Sequence, residues 1–278
     1  MAKRRFSANV KRRGIVFRKI SAVFFILIFL SAGCKTRTLN GITQIATIDA
    51  LLAGGYDGYM SLKKLRKYGD FGIGTYDKLD GEMILFEGKF YKVRADGKVY
   101  KPSLMETTPF ACVTEFVPDK EIIIKTPTDL KLLEQNINII LPENNHFCAF
   151  FLRGNFSFIR TRSVPIQKKP YPILQEVTKN QTVFEFFKIR GTLIGFRSPD
   201  FTKGVNVPGY HIHFIADDFL RGGHVLDFEI TDGVFKIDTI HEWLNIFLPT
   251  NSSFFKAANL SYDRQNELQQ VESNFRIK

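Results

Sequence analysis

Residues 205–230, VNVPGYHIHFIADDFLRGGHVLDFEI, restrict the fold of this chain more than any other stretch. Two alternating runs flank an acidic, glycine-containing turn, the pattern of a β-hairpin. In a strand, side chains at i and i+2 leave from one face, roughly 6–7 Å apart along the chain. YHIHF therefore sets His211 and His213 side by side and turns Tyr210, Ile212 and Phe214 to the opposite face. A hairpin centred near Phe219 brings His224 opposite His213. Three of the chain's five histidines then converge on one point.

Three imidazoles without a nearby cysteine suit a metal site with a chemical task. Catalytic zinc takes three protein ligands and keeps a position open, whereas structural zinc is closed by four ligands and is usually cysteine-rich. His211, His213 and His224 are thus the candidate ligands of a Zn2+ cofactor. Asp217, Asp218 and Asp227 lie close enough in sequence to orient the imidazoles, but solvated turn and strand residues are the preferred reading for all three. His146 and His241 have no such company and read as structural. Cys112 and Cys148 sit among apolar neighbours and read as buried free thiols.

The formal charge of +11 over 278 residues suggests nucleic acid or an anionic membrane as partner. Its distribution argues otherwise. Eight basic residues and no acid fall within the first 33 positions, which leaves 31 basic against 28 acidic residues in the remainder, a charge of +3. No basic stripe with interleaved aromatics remains to hold nucleic acid. The basic start, the apolar run ISAVFFILIFLSAG and Cys34 read as an export signal over residues 1–33. LSAGC resembles a bacterial lipobox, making Cys34 the candidate lipidated first residue of the mature protein; cleavage after Ala32 or Gly33 and an uncleaved anchor are the alternatives. The expected location is the bacterial periplasm or cell envelope. Membrane contact is expected only through the signal segment or a lipid on Cys34.

Elsewhere helices and hairpins intersperse. TQIATIDALLAGG has helical spacing ended by Gly54 and Gly55, and YMSLKKLRKYG a second helix ending at Gly69. GEMILFEGKFYKVRADGKVYKP reads as hairpins with turns at Glu-Gly and Asp-Gly. TDLKLLEQNINIIL is helical, FCAFFLRGNFSFIRTRSV alternates as a strand, and PYPILQEVTKNQTVFEFFKIRGTLIGFRSP enters on a helix or extended segment before a strand. The class is α+β, built on mixed or antiparallel sheets. SVPIQKKPYP places the boundary, giving an N-terminal part over 40–164 and a C-terminal metal-binding part over 165–278.

Two long stretches carry a family likeness. GTLIGFRSPDFTKGVNVPGYHIHFIADDFLRGGHVLDFEI resembles the signature region of α-acetolactate decarboxylase, and IDALLAGGYDGYMSLKKLRKYGDFGIGTYDKLDGEMILFEGKFYKV resembles that family's N-terminal half. The likeness runs from about Ile45 to about Glu272. It implies a zinc carboxy-lyase that converts 2-acetolactate to acetoin and carbon dioxide, in a fold of two α/β parts around a shared metal-containing cleft. It also implies zinc ligands His211, His213 and His224, an active-site glutamate at Glu82, an active-site arginine at Arg162 in IRTRSV, and a further carboxylate at Glu272 in QQVESNF, with Glu267 as competitor. Arg160 shares a strand face with Arg162, and the motif favours the latter. Arg197 lies in a family-like stretch without a derivable role. A homodimer is also implied.

The chemistry suits these residue types. Loss of carbon dioxide leaves an electron pair that becomes an enediolate, and zinc chelating the ketone and hydroxyl oxygens lowers that barrier as a Lewis acid. Chelation also fixes the orientation of the scissile bond. Arg162 can hold the substrate carboxylate or stabilise developing negative charge, and Glu82 or Glu272 can deliver the proton. Two rival readings are a secreted zinc hydrolase with a three-histidine site and a metal-binding lipoprotein without activity. The first lacks an H-E-x-x-H motif in this chain; the second requires a closed metal site.

Overall fold

Alternation of apolar and polar residues dominates the chain, and β-strands dominate its computed structural model, which describes residues 41–273. The expected signal segment and Cys34 lie outside the described residues. In chain order, β1 (Gly41–Ile45) leads to α1 (Ile48–Leu52), where Thr47 Oγ1 accepts from the Ala50 amide as N-cap. Then come β2 (Met60–Ser61), α2 (Leu62–Leu65), β3 (Phe71–Thr75), β4 (Glu82–Phe86), β5 (Lys89–Val93), β6 (Val99–Tyr100), β7 (Thr107–Thr108), β8 (Ala111–Thr114), β9 (Lys120–Ile124) and β10 (Thr128–Asp129). Asp129 caps α3 (Leu130–Ile140) by accepting from the Leu132 amide at 2.7 Å, and Leu133 and Ile137, four apart on one helix face, bury it. The long strands follow: β11 (Phe147–Ser163), β12 (Thr182–Ser198) after the short α4 (Leu174–Thr178), β13 (Gly209–Ala216) and β14 (Gly222–Ile240). Strand β15 (Trp243–Phe247) and helices α5 (Ser253–Ala257) and α6 (Gln265–Ser273) complete the chain.

The first sheet has the order β15-β1-β8-β3-β4-β5-β6, parallel only between β1 and β15. Its β4–β5 hairpin turns on Glu87 and Gly88, both at positive φ, the conformation a two-residue turn demands. The second sheet runs β10-β14-β11-β12-β13, with β9 also beside β14. Because β13 pairs again with β14, the strands β14, β11, β12 and β13 close into a ring. The expected α+β class with mixed and antiparallel pairing is the class observed. The expected division at residues 164 and 165 falls between β11 and α4. Strands from both sides of it share the second sheet, and β15 joins the first.

Phenylalanine does most of the packing. Phe156 meets Phe214 and Phe228 edge-on inside the ring at 5.3 and 5.8 Å between centroids. A second aromatic seam joins the sheets, with Phe71 against Phe196 at 5.8 Å and Phe86 against Phe151 at 5.6 Å. Each buried ring contributes about 1.5–3 kcal/mol over an exposed one. A third cluster, containing Ile48, Leu51, Leu174, Val177, Leu268 and Val271, joins α1, α4 and α6. Cys112 and Cys148 are buried free thiols, and burial pushes both up to about 12.

Candidate active site

Hairpin β13–β14 forms the base of the site. Its turn is set by the Phe219 amide donating to the Ala216 carbonyl at 2.9 Å and by Phe219 at φ +56°, the ring of which stacks on Tyr91. The register pairs His213 with His224, as the alternation predicts. Arg162 of β11 is the partner of His224 on its other side, so Arg162, His224 and His213 form a row across three strands. Gly223 makes this approach feasible: at φ +139°, a Cβ there would stand 2.6 Å from the Arg162 carbonyl oxygen.

The three imidazole rings lie 5.1, 5.1 and 5.4 Å apart between centroids, and one nitrogen from each falls within 4.8 Å of the others. His213 Nδ1–H donates to the Met83 carbonyl at 2.8 Å, which leaves the lone pair on Nε2. That Nε2 is buried and has no hydrogen-bond partner among the described residues. A buried acceptor without a partner costs about 1–3 kcal/mol, and a cation satisfies it. Loss of solvent lowers His211 to about 3, with the Arg162 charge adding to it. His213 and His224 are driven well below the usual imidazole range by burial and by their cationic and imidazole neighbours. All three rings are therefore neutral near pH 7, the form that ligates metal. The donor set fits a zinc ion.

Carboxylates approach from two other elements. Glu82, the first residue of β4, is 7% exposed; its Oε1 lies 3.3 Å from Arg162 Nη1 and its Oε2 3.7 Å from His213 Nε2. Burial raises its carboxyl to about 7, against the lowering effect of Arg162 and with a further rise from Glu272. Glu272, in the last turn of α6, places Oε2 3.4 Å from His224 Nε2. Its competitor Glu267 is engaged elsewhere, by Arg264 Nη1 at 2.9 Å to both carboxylate oxygens. His211, His213, His224, Glu82, Arg162 and Glu272 thus line a single cleft.

The remaining sequence candidates lie apart. Asp217 pairs with Arg153 and Arg190, and Asp218 with Arg221 and the Leu220 amide, so both serve the turn. Asp227 accepts from the Phe228 amide. Arg160, two residues before Arg162, is bound to Glu185 at 2.8 Å outside the cleft. His146 and His241 pack edge to face at 5.2 Å. Arg197 closes α3: its Nη1 donates to the Leu141 carbonyl at 2.7 Å and its Nη2 to that of Glu143 at 2.8 Å, satisfying acceptors at the helix end.

Sequence reasoning passed over Thr75, the Met83 carbonyl and the apolar wall formed by Ile48, Leu51, Leu79, Phe110, Val164, Leu174 and Val271. Thr75 was within reach, because the β3–β4 hairpin pairs it directly with Glu82. A backbone carbonyl has no side-chain signature, and the wall gathers residues from distant parts of the chain.

A family model described as Alpha-acetolactate decarboxylase matches residues 42–262, a span that stops short of Glu272. The alpha-acetolactate decarboxylase of Methanosarcina mazei is 45% identical over 229 residues, covering 82% of this chain and 79% of that protein. That of Bacillus subtilis is 40% identical over 228 residues, covering 82% and 89%. The X-ray structure of alpha-acetolactate decarboxylase from Bacillus subtilis superposes with a TM-score of 0.81 at 39% identity, covering 84% of this chain and 99% of that one.

Proposed function

Since the chain belongs to the α-acetolactate decarboxylase family and is a carboxy-lyase, we propose that it converts 2-acetolactate to acetoin and carbon dioxide at a zinc site held by His211, His213 and His224. The observation that carries this reading is the convergence of three neutral imidazoles, one with a buried unpartnered nitrogen, beside a buried arginine and two carboxylates. Zinc bound there supplies Lewis-acid polarisation of an oxygen on which negative charge develops.

The protein's own groups account for the rest. Arg162, fixed by Glu82, presents its guanidinium to the substrate and aligns the bond to the departing carboxylate perpendicular to the ketone plane. As that bond breaks, its electron pair stays on the substrate and spreads onto the ketone oxygen. Glu82 then delivers one proton to the carbon that lost carbon dioxide, which gives acetoin. The apolar wall keeps bulk water from that carbon, so the proton arrives from the Glu82 side. Glu272 steadies His224 at the cleft's outer side.

Incubation of the purified protein with 2-acetolactate, and separately with a panel of esters and peptides, tests this reading. Acetoin from the first and no cleavage of the second is the expected result; ester or peptide hydrolysis without acetoin would replace the decarboxylase reading with a zinc hydrolase. Export through residues 1–33, lipidation of Cys34 and a homodimer belong to the same proposal. Cell fractionation, the mass of the Cys34 peptide and the solution mass of the purified protein test them.

A further inference from the structure

Lys92, on β5, is the one buried lysine among the described residues, 5% exposed. A buried ion pair is weak evidence for stability, since well-packed apolar residues of similar size often serve a fold as well. Its surroundings give it another task. The ammonium lies 4.6 Å from the centre of the Tyr76 ring and donates to Asp80 Oδ2 at 2.9 Å, while Glu106 pairs with it from a third direction. Arg94, two residues further on, reaches the same oxygen of Asp80. Lys92 therefore grips both ends of segment 76–80, which leads directly into Glu82.

The backbone there is held in an unfavourable form. Lys78 and Leu79 have φ of +60° and +57°, and Gly81 follows at +102°. Non-glycine residues keep such conformations only where their surroundings impose them. A Cβ on Gly81 would stand 2.5 Å from the carbonyl oxygen of Val93, the residue that pairs with Glu82 and lies between Lys92 and Arg94. This turn carries Leu79 and Glu82 into the cleft, where the Glu82 oxygens lie 3.3 Å from Arg162 Nη1 and 3.7 Å from His213 Nε2. Lys92 and Asp80 do not line the cleft themselves. We propose that they are positioning residues, which hold the Glu82 carboxyl against Arg162 and His213 for proton delivery. This rests on the decarboxylase reading above. A misplacement of about 1 Å at a reacting group costs on the order of 10²-fold in rate.

The test is a double-mutant cycle. Asp80→Ala, Asp80→Asn and Lys92→Met are each made in the wild-type protein and in Glu82→Gln. Acetoin release at saturating 2-acetolactate gives kcat per folded chain, and zinc is measured on the same samples. In the wild-type background, kcat is expected to fall about 10- to 100-fold in Asp80→Ala and Lys92→Met, and less in Asp80→Asn, which keeps an acceptor oxygen. In the Glu82→Gln background the same substitutions are expected to change kcat by less than about twofold, because the group they place is already gone. Zinc content stays the same throughout. General damage to the fold lowers kcat alike in both backgrounds, so equal falls would overturn the inference. A kcat within about twofold of wild type for Asp80→Ala, or full activity of Glu82→Gln by itself, would overturn it too. If Asp80→Ala or Lys92→Met does not fold, the comparison of Asp80→Asn in the two backgrounds decides. Absence of acetoin from the wild-type protein is a separate outcome, and it removes the decarboxylase reading itself.

Discussion

Replacing Glu82 with glutamine keeps its shape and removes its proton. The carboxyl is 7% exposed, lies 3.7 Å from His213 Nε2, and opens onto a cavity of about 40 Å³. Its burial, with room for only roughly three waters beside it, limits how well solvent replaces it as proton source. General acid catalysis is worth about 10²- to 10⁴-fold, and the burial of Glu82 places this variant near the middle of that range. A fall in kcat of about 10³-fold, equivalent to about 4 kcal/mol of transition-state stabilisation, is expected. Zinc content should not change, since Glu82 is outside the set of three imidazoles. The assay is acetoin colour at saturating 2-acetolactate, with zinc measured on the same sample and folding checked by thermal melting. A kcat within tenfold of wild type would refute the proton role. Loss of zinc in step with activity would show instead that Glu82 holds the metal.

Three further outcomes are expected. His211→Ala should lose both zinc and acetoin formation while remaining folded, as read by metal analysis and circular dichroism; full activity would remove the metal assignment. Arg197→Met breaks two short charge-assisted hydrogen bonds to the end of α3, and unfolding in urea should show a loss of about 3–5 kcal/mol with unchanged zinc per folded chain. Asp49 carries a carboxyl raised from 3.8 to about 6 by burial, with Arg264 opposing and Asp263 and Glu267 adding. Its native value lies above its unfolded one, so its burden on stability is absent below about pH 4 and grows as pH rises to about 6. Asp49→Asn should therefore stabilise by up to about 3 kcal/mol at pH 7 and by nothing at pH 4.

What was legible in the sequence was local. His211, His213 and His224 declare themselves because strand periodicity and a recognisable turn fix their geometry within a few residues of one another. The β4–β5 hairpin and α3 are readable for the same reason: Glu87-Gly88 and the Asp129 cap act on their immediate neighbours. Non-local pairings leave no such trace. Nothing in WLNIF announces that β15 runs parallel to β1, just over two hundred positions away, and nothing in the alternation of β13 and β14 says that β12 and β11 close the ring behind them. Arg197 shows the same limit from the side of function. Its stretch of sequence offered no derivable role, because its guanidinium serves carbonyls more than fifty residues earlier. Arg162 and Glu82 are brought together across 80 positions only by the packing of the two sheets.

The central claim is that the three-histidine cleft holds the metal on which decarboxylation depends. The most direct measurement is zinc per chain and acetoin release followed in one preparation, through titration with a chelator and then restoration of zinc. The account predicts one zinc per chain, activity falling in proportion to zinc removed, and recovery on its return. Undiminished acetoin release from fully metal-free, folded protein would contradict it.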